Sequence, residues 1–271
     1  MLLNGYLFNS EAWHAISEED IKTLEKVDQH LLRSLVNGHA KTPIEFLFLE
    51  TGAIPVRFIL TSRRLIYLQT ILKRPETELI RRIYNMQVED PSPGEFVELV
   101  KRDRELIEET LGDDDVKAAS VHSYKKHIKT KVKKAAFKYL TDIRSTHSKI
   151  KNIKYDKMET QPYLTSPLFN NEEVNLLFSL RSRSVECKDN FKGLHGENLS
   201  CSLCPNECKD DQPHILLCPK TREKLTSTEA ANADVLYEHI FINTIKQKEA
   251  TVLFANMLDI RTILLNEQKL I

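Results

Sequence analysis

Four of the five cysteines of this chain fall inside one eighteen-residue window, and with one histidine they read Cys201-x2-Cys204-x9-His214-x3-Cys218. Three thiols and one imidazole are the donors that tetrahedral Zn²⁺ takes. A Cys-x2-Cys turn presents two thiolates to one point. Pro213 suits the first position of a short helix, and His214 and Cys218 then stand one turn apart on the same face. Pro219 disfavours helical backbone at Cys218, so the spacing predicts about one turn rather than a long helix. Cys208 lies in the same loop and competes with Cys204 for one ligand position. A Cys3His set leaves no open position for water, so the expected ion is structural rather than hydrolytic. The plainer alternative is a group of ordinary reduced thiols. A disulfide framework fits less well, because the cysteines are not spread along the chain and Met1–Gly5 carry no positive leader. Cys187 stands apart and is expected to be buried or free.

The second chemical feature is a charge step. The net charge of zero hides thirteen acids against five Lys/Arg between Glu76 and Val116, followed by twelve Lys and one Arg against two Asp between Lys117 and Lys157. An acidic block runs directly into a basic one, and the overall balance misses it. Within the basic block Lys125, Lys126, Lys129, Lys131, Lys133, Lys134 and Lys138 alternate with Tyr124, Ile128, Val132, Ala135, Phe137 and Tyr139. Lysines that outnumber core positions on a helix form either a solvated face or a surface for phosphates. In the first case the acidic block folds against them. In the second they meet RNA or DNA through backbone contacts that carry no sequence information.

The elements that must position these groups are helices. The chain has 271 residues, 41% of them hydrophobic and 29% charged, with only 7 Gly and 10 Pro. That composition describes a mainly α protein with a real core, and no apolar run has the length of a membrane span. Ser17 and Asp20 form an approximate capping box ahead of a stripe through Ile21, Leu24, Val27, Leu31, Leu32 and Leu35, which Asn37-Gly38 stops. Thr42-Pro43 starts a second helix that Gly52 and Pro55 break, and a third runs from Pro55 towards Pro75. Residues 1–75 thus read as a compact helical bundle. Residues 76–160 read as an acidic then basic connector of two or three longer helices, one of them striped by Phe96, Leu99, Val100, Leu106, Ile107 and Leu111. Gln161–Pro167 reads as a linker. Residues 170–225 combine a helix capped by Asn171 and ending at Arg181-Ser182-Arg183 with the Cys/His module. Residues 230–271 supply C-terminal amphipathic helices through Leu236, Ile240, Phe241, Ile245, Leu253, Leu258 and Ile263.

Other catalytic signals are weak. Gly112-Asp113-Asp114-Asp115 has the look of paired metal-binding aspartates, but helical stripes on both sides make Gly112 a helix stop and the aspartates caps for the next helix. No glycine-rich phosphate loop and no Gly-x-Ser-x-Gly elbow occurs.

Two blocks resemble one known family. The first comprises Leu7-Phe8-Asn9-Ser10-Glu11-Ala12-Trp13, the Leu24-Glu25-x-Val27-Asp28-x-x-Leu31-Leu32-Arg33 helix, and Thr42-Pro43-Ile44-Glu45-Phe46-Leu47-Phe48-Leu49-Glu50 through Pro55 to Arg63-Arg64-Leu65. It is similar to the thumb that follows the catalytic palm in reverse transcriptases of non-LTR (LINE-like) retrotransposons. The second comprises Leu177-Phe178-Ser179-Leu180-Arg181-Ser182-Arg183, Asn190-Phe191 and the Cys201, Cys204, His214, Cys218 set with Pro219. It resembles the zinc-binding region near the C terminus of the same polyproteins. Together the blocks cover about half of the chain.

Where the family usually has glycine this chain has Asn9, the residue that best tolerates left-handed backbone. No Tyr/Phe-x-Asp-Asp turn occurs, so the palm aspartates of polymerisation are missing. The resemblance therefore implies a thumb-like bundle and a CCHC zinc module without polymerase activity alone. It also implies RNA or DNA as partner, beside a separate or upstream palm, and a nuclear location within the reducing intracellular setting that the cysteines favour. Arg181 and Arg183 become secondary phosphate contacts on that reading. The alternative is a helical protein-interaction module with a structural zinc clip.

Overall fold

The computed structural model describes residues 7–13, 16–40, 42–146, 150, 153–204, 208–226 and 238–269. Among them the chain is mainly helical, and the only extended pairing is a single antiparallel bridge between Ser200 and Lys209. No described helix is long and apolar enough to cross a membrane. The chain divides into two compact units. One comprises Met1–Leu32, Phe48–Ile143 and Tyr155–Glu159; the other comprises Arg33–Leu47, Arg144–Lys154 and Thr160–Ile271.

The first unit is organised by α3 (Val56–Leu72), which follows α1 (Glu18–Leu35) and α2 (Ile44–Thr51). Ten of the seventeen positions of α3 are buried, Thr61, Arg64 and Gln69 among them. A helix buried on most of its surface must find partners for its polar groups. Each finds one in the acidic block. Thr61 donates to the Asp103 carboxylate at 2.6 Å, and Arg64 meets the same carboxylate at 2.7 Å. The Gln69 amide donates to the carbonyls of Val116 and Ala119.

Around α3 stand α4 (Leu79–Glu89), α5 (Phe96–Leu106), α6 (Asp113–Ala118) and α7 (Val121–Arg144). Phe58, Leu65, Leu68 and Leu72 share one core with Tyr84, Val100, Val116, Tyr124, Ile128 and Val132. The expected boundary at residue 75 is therefore crossed by the core, and the connector is part of the bundle. It holds four helices rather than two or three, because the stripe from Phe96 to Leu111 is cut at Glu108. That residue adopts φ 54, with the Glu109 amide bonded back to Arg104. Gly112 caps the start of α6 instead of stopping α5: its amide donates to the Asp115 carboxylate at 3.2 Å.

Several local expectations hold in detail. Ser17 and Asp20 exchange both capping bonds. Asn37 takes φ 48, and the Gly38 amide closes on the Arg33 carbonyl at 2.8 Å, the bond that ends a helix through a left-handed residue. Asn9 takes φ 55. Arg63 fixes the turn that contains it by donating to the Leu7 carbonyl and the Ser10 hydroxyl.

The α1 stripe is a partial exception. Val27 and Leu35 are exposed, while Asp28 is 1% exposed. Neither Asp28 carboxylate oxygen has a hydrogen-bond partner.

The second unit contains α8 (Asn171–Arg181), α9 (Lys192–His195), α10 (Gln212–Leu217), α11 (Pro219–Arg222) and α12 (Thr244–Lys269). Its core draws on Leu177, Phe178 and Leu180 of α8 and on Ala250, Leu253, Phe254 and Met257 of α12. Asn170, one residue before the expected cap, makes the capping box with Glu173. The stretch 161–167 is not a free linker, because Tyr163 is fully buried within a tight turn. On the C-terminal segment Ile240 is fully buried, whereas Ile245 and Ile263 are exposed; Leu236 lies outside the described residues.

The buried Asp28 generates a prediction. Burial, with like charge from Glu25, pushes its carboxyl up to about 6. The folded state then holds the proton more tightly than the unfolded chain does, whose value is about 3.9. Stability from this group is full below about pH 4 and is lost as pH rises through about 6. Asp28→Asn should therefore raise the urea midpoint relative to the parent at pH 7, and the difference should vanish near pH 4.

Candidate metal centre and basic helix

The Cys/His module is assembled from three local devices. The bridge between Ser200 and Lys209 carries the first: the Cys201 amide donates to the Cys208 carbonyl and the Asp210 amide to the Leu199 carbonyl, both at 2.7 Å. Asp211 is the second, capping α10 by accepting from the His214 amide at 2.9 Å. Pro219 is the third. Cys218 is held extended at ψ 119 and closes α10 after six residues, while Pro219 opens α11. One helical turn thus separates His214 from Cys218, as the spacing predicts.

These devices bring Cys201, Cys204, His214 and Cys218 into one group that could hold a metal ion, with all four ligand atoms within 4.8 Å of one another. Cys204 Sγ lies 3.3 Å from His214 Nε2 and 3.4 Å from Cys218 Sγ. Cys208 stands outside the group; its part is the backbone carbonyl that receives Cys201. Cys201 and Cys218 are buried. The hydrogen bond from Cys201 draws the Cys218 thiol down to about 7, and as donor Cys201 is itself pushed up to about 12, with burial adding to the effect. Cys187 is buried and unrelated to the cluster, and burial pushes its thiol up to about 11. It is an inert core thiol.

Two residues of this site escape a reading by motif. Arg261 of α12 donates twice to the Asp210 carboxylate, at 2.7 and 2.8 Å, and points a third N–H at Cys201 Sγ, 3.8 Å away. Both partners of the pair are buried. Asp210 also accepts from the Lys188 amide at 3.1 Å, so Oδ2 carries two bonds and Oδ1 one. The available signal was positional: Arg261 falls on the same helix face as Phe254 and Met257, where a charge needs a partner.

The basic helix α7 has two differently occupied faces. Lys131 donates to the Glu108 carbonyl at 2.8 Å, and Lys138 pairs with the Glu108 carboxylate at 3.0 Å. Lys134 adds its field to the same carboxylate, which the three lysines hold below its usual range, Lys138 foremost. Lys125, Lys126, Lys129 and Lys133 are exposed. Lys125, Lys129 and Lys133 line a groove shared with α3.

Of the two arginines expected as further phosphate contacts, Arg181 is removed from that role. It is 3% exposed, donates to the Ile240 carbonyl at 2.8 Å and lies over the rings of Tyr163 and Phe241. An arginine so enclosed packs the unit and reaches no solvent phosphate. Arg183 is half-buried at φ 52. The Asp113 that opens α6 accepts from Tyr84 at 2.5 Å and from Arg104 at 2.8 Å, which explains the aspartate run as a cap and anchor.

Removing one member of a buried ion pair leaves the other uncompensated, at a cost of about 3–5 kcal/mol. Arg261→Leu should lower the unfolding free energy by that order. The double variant Asp210→Asn with Arg261→Leu should recover part of the loss, read in a double-mutant cycle by urea denaturation.

No known protein family matches this chain, and neither a curated protein nor a solved structure matches it.

Proposed function

We propose that the chain is a zinc-clipped helical protein that binds nucleic acid through α7, without polymerase activity of its own. The observation that carries the metal half is the convergence of three sulfurs and one imidazole within 4.8 Å. Zn–S bonds of about 2.3 Å place tetrahedral ligand atoms just under ~4 Å apart, which this spacing reaches with small adjustments. The donor set is that of a closed structural zinc site. Cys201, Cys204, His214 and Cys218 would hold the ion, which would supply cross-linking of the Ser200–Lys209 bridge to α10 and α11.

The nucleic-acid half rests on the exposed lysines of α7. The order and spacing of the two blocks described above support the narrower reading, a thumb-plus-zinc segment of a non-LTR reverse transcriptase working beside a palm supplied elsewhere.

A second reading has its own observation. Lys131 and Lys138 are engaged by Glu108, so part of the basic block is neutralised within the chain, as a helical interaction module with a zinc clip would have it.

Two measurements test the proposal. Purified protein should contain one zinc per chain by elemental analysis, and Cys201→Ser should lose it together with hydrogen-exchange protection in α10 and α11, while α3 and α7 keep theirs. Structural zinc contributes roughly 10–16 kcal/mol of apparent binding free energy in finger peptides, so a chelator should act alike. Random-sequence oligonucleotides should be retained at low salt. With about four phosphates neutralised, one by each of Lys125, Lys126, Lys129 and Lys133, log K should fall against log[salt] with a slope between about −3 and −4. A slope near about −1 would leave the interaction-module reading in place.

A further inference from the structure

The groove between α3 and α7 lies wholly within the first unit and encloses about 870 Å³. Its α7 edge is formed by Lys125, Lys129 and Lys133, three residues at intervals of four. At 1.5 Å rise per residue they form one ladder with steps of about 6 Å, a spacing comparable to that of successive phosphates along one extended strand. Glu108 engages none of the three; it is met by Lys131, Lys134 and Lys138.

The groove's floor differs from a plain phosphate track. Ile59, Ile66 and Tyr67 of α3 line it, all half-buried, beside Arg63. Tyr67 is held by an edge contact from Phe96 with centroids 5.9 Å apart, which fixes its ring without covering it on every side. Glu11 is the only acid among the described lining residues. A cationic edge over an apolar and aromatic floor is the arrangement that seats a strand by phosphates on one side and by base faces on the other. A duplex keeps its bases stacked inside and would leave that floor unused.

Resting on the nucleic-acid reading above, we infer that this groove takes a single strand of RNA or DNA. Lys125, Lys129 and Lys133 bind consecutive phosphates, and Tyr67 with Ile59 and Ile66 receives the bases. Lys131, Lys134 and Lys138 serve the fold instead of the ligand.

The test compares two triple variants of the full chain. Binding of fluorescein-labelled oligothymidylate is followed by anisotropy across a salt series. Lys125, Lys129 and Lys133 are replaced together by Gln in one variant, and Lys131, Lys134 and Lys138 in the other. The groove variant should bind roughly 100-fold more weakly at about 0.1 M salt, with the magnitude of the salt slope smaller by about two, since each single-strand phosphate contributes about 0.7. Its melting should be unchanged, and Arg at the same three positions should restore binding. The second variant should keep binding within about twofold and melt earlier, as lost ion pairs on a helix do. Tyr67→Ala should weaken binding without changing the salt slope.

Equal losses in both triples would overturn the groove while leaving α7 a nucleic-acid surface. So would tighter binding of a dA·dT duplex of equal length, or displacement of the strand by polyglutamate at equal charge. Absence of any retention by the parent chain would remove the broader reading and this one with it.

Discussion

A carboxylate and a guanidinium withdrawn from water are costly unless they are paired and hydrogen-bonded, and Asp210 with Arg261 meets that condition. The carboxylate takes two N–H bonds from Arg261 and one from the Lys188 amide, while the Asp210 backbone completes the pairing with Leu199 and receives the Asp189 amide. Four chain segments are thereby fixed at one residue. The Cys201–Cys204 turn, the capped start of α10 and the end of α12 all take their places from it. Leu264 and Leu265 of α12 pack on Cys201, Leu203 and Cys218, so the apolar cover of the sulfur cluster comes from the same helix that carries the guanidinium. A metal-ligand set is useful only when its donors cannot wander, and these outer contacts limit them.

The basic helix shows how one amphipathic element serves two demands. Its apolar stripe through Tyr124, Ile128, Val132 and Ala136 is buried against α3. One flank answers the acidic block through Glu108, and the other carries lysines that no acid among the described residues pairs with. The two functional readings of the charge step, internal neutralisation and phosphate binding, therefore apply to different flanks of the same helix. Sequence places the lysines on a helix but does not sort them, because the sorting depends on where the Glu108 turn comes to rest.

Legibility followed range. Contacts within about one helical turn could be read directly: the Ser17–Asp20 cap, the Asn37–Gly38 stop, and the one-turn separation of His214 and Cys218. Each is decided by local backbone chemistry. Misplaced assignments involve partners far away in sequence. Arg181 looks like a surface cation until Tyr163, Ile240 and Phe241 enclose it, and Gln161–Pro167 looks like a linker until Tyr163 fills a core site. Asp210 and Arg261 are 51 positions apart. Nothing in their local sequence announces the pair except a charge on an apolar face. Cys208 lies outside the group of four converging donors, a choice between it and Cys204 that residue type cannot reveal.

Beside Gly52, Gly94 and Gly196, four residues with side chains take left-handed backbone among the described residues. Asn9, Asn37, Glu108 and Arg183 all adopt positive φ, between 48 and 55°. An L-residue bears a steric penalty of roughly 1 kcal/mol or more in that region, least for asparagine. At Glu108 the side chain is retained by its lysines, but no such duty is evident in the backbone role of Asn37. The Asn37 turn therefore holds thermostability that a glycine at that position would recover.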